Sequence, residues 1–219
     1  MNDAAGLERM KALGTRKVPL LALGDRYVFA ENMEKVAEFV GLGSTGHKPL
    51  PPDQLYAKWM PVLRAAQRYV RQMPDERLKE RIVPNRDRAI RLLCHHIFRI
   101  GEAFLETVSQ DIEYSKWHAQ KEPDEGTMLT SEEIARYGDE VIGRLEAWWG
   151  SLVDKSGRQP VKTYMGIHPM HFLFERSAYH SAQHTRQLMA VLERFNIVPD
   201  QPVTKEALAG LPVPERLWE

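Results

Sequence analysis

Cysteine is nearly absent: Cys94 is the single one among 219 residues. That excludes an intrachain disulfide, a CxxC redox pair and a cysteine-rich zinc site. Neither sign of charge is in excess, because 30 Lys and Arg balance 30 Asp and Glu. Non-specific nucleic-acid binding needs a basic surplus to displace counterions, so no direct nucleic-acid partner is expected. No apolar run approaches the length that crosses a bilayer, and no basic segment followed by an apolar run opens the sequence. The expectation is a soluble, cytoplasmic protein without a membrane partner. Its length suits one large domain, or a small module beside a domain of about 150 residues.

What is present falls into two unlike parts. Residues 3–13 carry Leu7, Met10 and Leu13 at helical spacing and stop at Gly14. "KVPLLAL" and "RYVFA" read as two strands joined by a tight turn at Gly24 and Asp25. Asn32 stands where it caps a helix through "MEKVAEFV", which ends at Gly41. Helix, hairpin and helix make a module over residues 1–42, too small to bury much surface alone. "GSTGHKPLPP", residues 43–52, has the Gly and Pro content of a linker.

Residues 53–219 read as a four-helix bundle with a C-terminal tail, so the fold class is mainly α with a small α/β module ahead of it. Asp53 to about Met73 places Leu55, Trp59, Leu63, Ala66, Val70 and Met73 on one stripe. Asn85 is placed to cap a helix running to about Val108, with Ile90, Leu93, Ile97, Ile100 and Phe104 on its stripe. Thr130 and Glu133 form a capping box that opens a third helix, whose apolar face runs from Ile134 to Leu152. A loop containing "DKSGRQP" and "TYMGIHP" leads to the last long helix, about Met170 to Asn196, and Thr204 caps a short one ending at Gly210.

The inward stripe of the last long helix runs Leu173, Ser177, His180, His184, Leu188, Val191. A four-residue step brings two imidazoles close enough to share one metal ion. The other reading is a pair of buried histidines that bond each other or the core. Gln187, three residues on, is placed to support a ligand or touch a substrate. In the second helix His95 shares a face with Arg88, Arg91, Arg99 and Glu102 that looks solvated, whereas His96 has Leu92, Leu93 and Ile100 as helical neighbours. His96 is therefore the candidate third ligand. Three inward histidines each cost free energy unless their nitrogens are satisfied, and one divalent ion satisfies all three. Zinc fits three histidines; nickel, manganese and ferrous iron remain alternatives.

These motifs carry a resemblance. Over roughly residues 50–200, "LLCHHI" and "HSAQHTRQL" are similar to the DinB/YfiT-like family, whose fourth-helix pattern is HxxxHxxQ. That family of metal-dependent bundles includes thiol-dependent S-transferases and a mycothiol-dependent maleylpyruvate isomerase. The resemblance implies His96, His180 and His184 as metal ligands, a low-molecular-weight thiol as co-reactant, and a homodimer. The first part resembles the C-terminal half of a glutaredoxin, with Val18 and Pro19 matching the cis-proline entry to a strand. The redox cysteine of that fold is missing. The module is then a degenerate docking or dimerising piece, or else it keeps a glutathione-docking surface built from Val18, Pro19, Glu31 and Asn32.

The function expected from both lines is metal-dependent S-transfer or isomerisation of a small electrophile. A metal-dependent hydrolase and a non-catalytic bundle whose metal fixes helix packing are the alternatives. Arg176, one turn before His180, is placed either to hold a substrate carboxylate or to pair with Glu175 or Glu102 as a surface ion. His171 is a candidate pocket residue, over two turns from His180 and so outside the same metal shell. Cys94 reads as a small core residue.

Overall fold

In four long stretches apolar residues recur every three or four positions, and each of these stretches folds as a helix with that stripe buried or packed partly buried against the core. The computed structural model describes residues 3–16, 19–30, 33–43, 46–82 and 87–218, the side chains of Met33 and Glu34 excepted. The chain divides into two compact units, Met1–Lys48 and Pro49–Glu219. Among the described residues the fold is mainly helical, with eight α-helices and two small antiparallel sheets.

The first unit holds α1 (Ala4–Ala12), β1 (Leu20–Leu23), β2 (Arg26–Phe29) and α2 (Met33–Phe39). The Asp3 carboxylate accepts from the Ala5 amide at 3.1 Å and caps α1. Strands β1 and β2 pair antiparallel from Leu20 opposite Phe29 to Leu23 opposite Arg26, around the turn at Gly24 and Asp25. The Arg26 guanidinium lies 5.5 Å over the Phe39 ring. Asn32, the expected cap of α2, lies outside the described residues.

The second unit is built on α3 (Pro52–Gln72), α4 (Ile90–Gln110), α6 (Ser131–Ser151) and α7 (Met170–Arg194). Helices α3 and α4 each pack against both α6 and α7, so the four form a bundle. The short α5 (Lys116–Ala119) and the hairpin of β3 (Pro160–Thr163) and β4 (Gly166–Pro169) lie against α4, and α8 (Lys205–Leu208) follows α7. The stripes of α3 and α4 named from spacing are buried throughout. Thr130 and Glu133 make both halves of the capping box at the start of α6.

Three expectations need correction. The second long helix begins at Ile90 rather than at Asn85, which lies outside the described residues. No side chain caps α4; instead the Ile90 and Arg91 amides donate to the Glu80 and Leu78 carbonyls at 2.9 and 2.8 Å. The loop before α7 contains the β3–β4 hairpin. That hairpin delivers α7: the Met170 and His171 amides donate to the Gln159 and Gly157 carbonyls at 2.7 and 2.9 Å. Gly157 is required there, since its φ is +71° and an added Cβ would sit 2.8 Å from the His171 Cβ.

The third correction concerns the face assigned to solvent on α4. Every residue from Leu93 to Gly101 is buried, so this helix is covered on all sides rather than on one stripe. The segment after α4 provides the extra cover. The Tyr114 amide donates to the Lys162 carbonyl and the Tyr164 amide to the Tyr114 carbonyl, both at 2.9 Å, and this ties residues 114–119 to β3.

Helix α6 approaches α4 through Gly138, where an added Cβ would meet three Phe98 ring atoms between 2.6 and 2.9 Å. Gly138→Ala is expected to cost about 1–3 kcal/mol through overpacking. Gly143, on the same helix, has nothing within 4 Å of an added Cβ, so Gly143→Ala should stabilise by up to about 1 kcal/mol. Midpoints of urea unfolding for the two variants should therefore move in opposite directions; a shared direction would contradict the packing described.

Candidate metal centre

The four-residue step on α7 sets His180 and His184 one above the other, with ring centroids 4.7 Å apart. His96 faces them from α4, at 5.4 Å from His180 and 5.0 Å from His184. The register of the two helices is fixed beside the rings, where the Ser181 hydroxyl donates to the Ile97 carbonyl at 3.3 Å. One nitrogen from each of the three histidines lies within 4.8 Å of the others. Among the described residues the group consists of these three side chains, with no thiolate or carboxylate joining them.

The donor chemistry suits a divalent ion. Burial, reinforced by the neighbouring His184 and His180, holds the His96 imidazole well below its ordinary pKa, so it is neutral at neutral pH. His96 Nδ1 is buried with no hydrogen-bond partner. A buried imidazole nitrogen left in that state costs free energy, and a metal ion would satisfy it. His184 Nδ1 lies 2.7 Å from Gln187 Oε1, and Gln187 Nε2 donates to the Leu217 carbonyl at 2.8 Å. A carboxamide oxygen only accepts, so the proton of His184 sits on Nδ1 and the lone pair of the neutral ring on Nε2.

No family model matches the chain, and no curated protein matches it.

The other residues singled out from the sequence are distributed as follows. Gln187 stands beside the histidines. Arg176 is half-buried and donates to the Tyr179 and Tyr164 hydroxyls at 3.2 and 3.1 Å, an arrangement that nothing in the spacing indicated. It is not paired with Glu102, whose carboxylate receives Arg99, Tyr137 and Arg144. His171 is not part of the group; its Nε2 donates to the Leu50 carbonyl at 2.7 Å and anchors the chain ahead of α3. Val18, Glu31 and Asn32 lie outside the described residues, while the Pro19 carbonyl accepts from the Ala30 amide at 2.9 Å at the open end of the first hairpin. Cys94 is buried, and burial pushes its thiol up to about 12, so it is no nucleophile at neutral pH.

His95 is not solvated. It is 4% exposed and stacks on Tyr137 at 5.0 Å with an interplanar angle of 12°. Burial, with the Arg99 charge adding to it, lowers its pKa to about 4. Tyr137 in turn donates to Glu102 at 2.7 Å, so a polar network backs the helix turn that carries His96. No membrane-length apolar helix occurs among the described residues.

Proposed function

We propose that the protein is a divalent-metal enzyme of the DinB/YfiT-like kind, a thiol S-transferase or isomerase acting on a small electrophile with a low-molecular-weight thiol. The observation that carries this reading is the convergence of His96, His180 and His184 with no fourth protein ligand among the described residues. Structural zinc sites are usually closed by four protein ligands, whereas three leave room for a thiol, water or substrate. A divalent ion bound here would supply Lewis acidity, lowering the pKa of a bound thiol or water and polarising a carbonyl. The chain's own part is to keep the His96 imidazole neutral and to bring the three rings together, with Gln187 holding the His184 proton on Nδ1. Arg176, fixed by two phenols one turn before His180, is the cation that would take an anionic group of the substrate.

The test combines metal content with turnover. Purified protein should carry about one equivalent of zinc, nickel, manganese or iron, and the His180→Ala/His184→Ala variant none. Wild type alone should consume a model electrophile in the presence of glutathione, bacillithiol or mycothiol. Equal substoichiometric metal in both proteins would remove the basis of the reading. Thiol-independent turnover would point to hydrolysis, and metal without turnover to a bundle that the ion merely stabilises.

A further inference from the structure

We infer that residues 214–217 set the tautomer of a metal ligand: the Leu217 carbonyl orients the Gln187 carboxamide, which holds the His184 proton on Nδ1. This rests on the metal-site reading above and names a controlling element of the same site. A carboxamide has two ends of nearly equal shape and opposite function. With its NH2 end toward His184, Nδ1 would have to accept, the ring proton would move to Nε2, and Nε2 would no longer be a ligand. The Leu217 carbonyl selects the productive orientation, because it can only accept and lies 2.8 Å from Gln187 Nε2. A flipped carboxamide would set two oxygens against each other there.

The 214–217 segment is itself clamped through its backbone. Gln183 Nε2 donates to the Arg216 and Leu217 carbonyls at 3.1 and 2.8 Å. Arg186 donates to the Pro214 and Glu215 carbonyls at 2.7 and 3.3 Å. Gln183, Arg186 and Gln187 lie three and four residues apart, so a single face of α7 grips four consecutive carbonyls. Gln187 alone also reaches a histidine. It is thus a positioning residue, and docking of the segment is transmitted through it to the ligand.

The experiment compares four proteins: full-length, a chain ending at Val213, full-length Gln187→Glu, and Gln187→Glu ending at Val213. Zinc affinity is read by chelator competition, and the His184 ring nitrogens by 15N–1H correlation in the metal-free protein. A carboxylate only accepts, so Glu at 187 keeps the proton on Nδ1 whether or not the segment is docked. Ending the chain at Val213 should weaken zinc binding by about 10- to 100-fold when residue 187 is Gln. The same truncation should not weaken zinc binding when residue 187 is Glu, because the second carboxylate oxygen has no proton to give the Leu217 carbonyl and the docked segment offers it no support. The ring spectrum should change from the Nδ1–H form to a tautomer mixture in the first case and stay unchanged in the second. An equal loss in both backgrounds, or none with Gln187, would overturn the inference. Gln183→Ala/Arg186→Ala loosens the segment without removing any of its residues, and should reproduce the pattern if truncation impairs folding. Should full-length protein bind no zinc, the metal-site reading fails, while the ring spectrum of the metal-free protein still decides the coupling.

Discussion

Zinc at a thousand times its dissociation constant is expected to raise the unfolding free energy by about 4 kcal/mol, and to leave the His180→Ala/His184→Ala variant unmoved. The unfolded chain separates His96 from the α7 pair, so the ion binds the folded state in preference. The informative companion is His96→Leu, whose effect should change sign with the metal. Without metal, His96 Nδ1 is buried and has no hydrogen-bond partner. An apolar side chain of similar size removes that cost, so the metal-free variant should be more stable than wild type by about 1–3 kcal/mol. With zinc present the order should reverse. Urea unfolding with and without a chelator reads both limbs. A variant less stable than wild type in both conditions would mean that His96 serves packing alone, whereas a crossing marks a residue kept for binding.

Arg99→Met is expected to cost about 3–5 kcal/mol, more than any surface ion pair in the molecule. Its guanidinium is 4% exposed. Nη1 donates to Glu102 at 2.6 Å, Nη2 to Glu106 at 2.7 Å and Nε to the His118 carbonyl at 3.1 Å. Burial opposes ionisation of Glu102, but hydrogen bonds from Tyr137, Arg99 and Arg144 outweigh it and hold the carboxyl below its ordinary range. Removing the arginine leaves two partly buried carboxylates short of a counter-charge. Replacing these three charges, as Arg99→Met/Glu102→Gln/Glu106→Gln, should recover most of the loss, because Arg144, the cation that then loses its Glu102 partner, is exposed to solvent. If the triple variant is no better than Arg99→Met in urea unfolding midpoints, packing by the arginine stem is the larger contribution.

The histidine group was legible because its information is local. A four-residue step on one helix fixes the relation of His180 to His184, and apolar neighbours place His96 on the inward stripe of another. The same logic misjudged His95. Its neighbours on α4 are charged, yet Tyr137 on α6 and the chain at His118 cover that side. Periodicity describes a helix's own faces and carries no information on what a later segment lays over them. The β3–β4 hairpin was missed for a related reason. Its turn is Tyr164–Met165, which lacks the Asn-Gly or Asp-Gly signature, and each strand has four residues. The partners of Gln187 and Gln183 were beyond reach because they are main-chain carbonyls, which every residue type offers equally.

The order of synthesis gives the 214–217 clamp another meaning. His96 is made well before α7, and the carbonyls that orient Gln187 come later than any ligand. A nascent chain can therefore build α3, α4 and α6 as a hydrophobic assembly before two histidines of the group exist. The site reaches its final protonation pattern only after the clamp is translated and docked. On the proposed metal-site reading, capture of an ion would come at the end of folding, as a maturation step on a finished bundle rather than a nucleus for it.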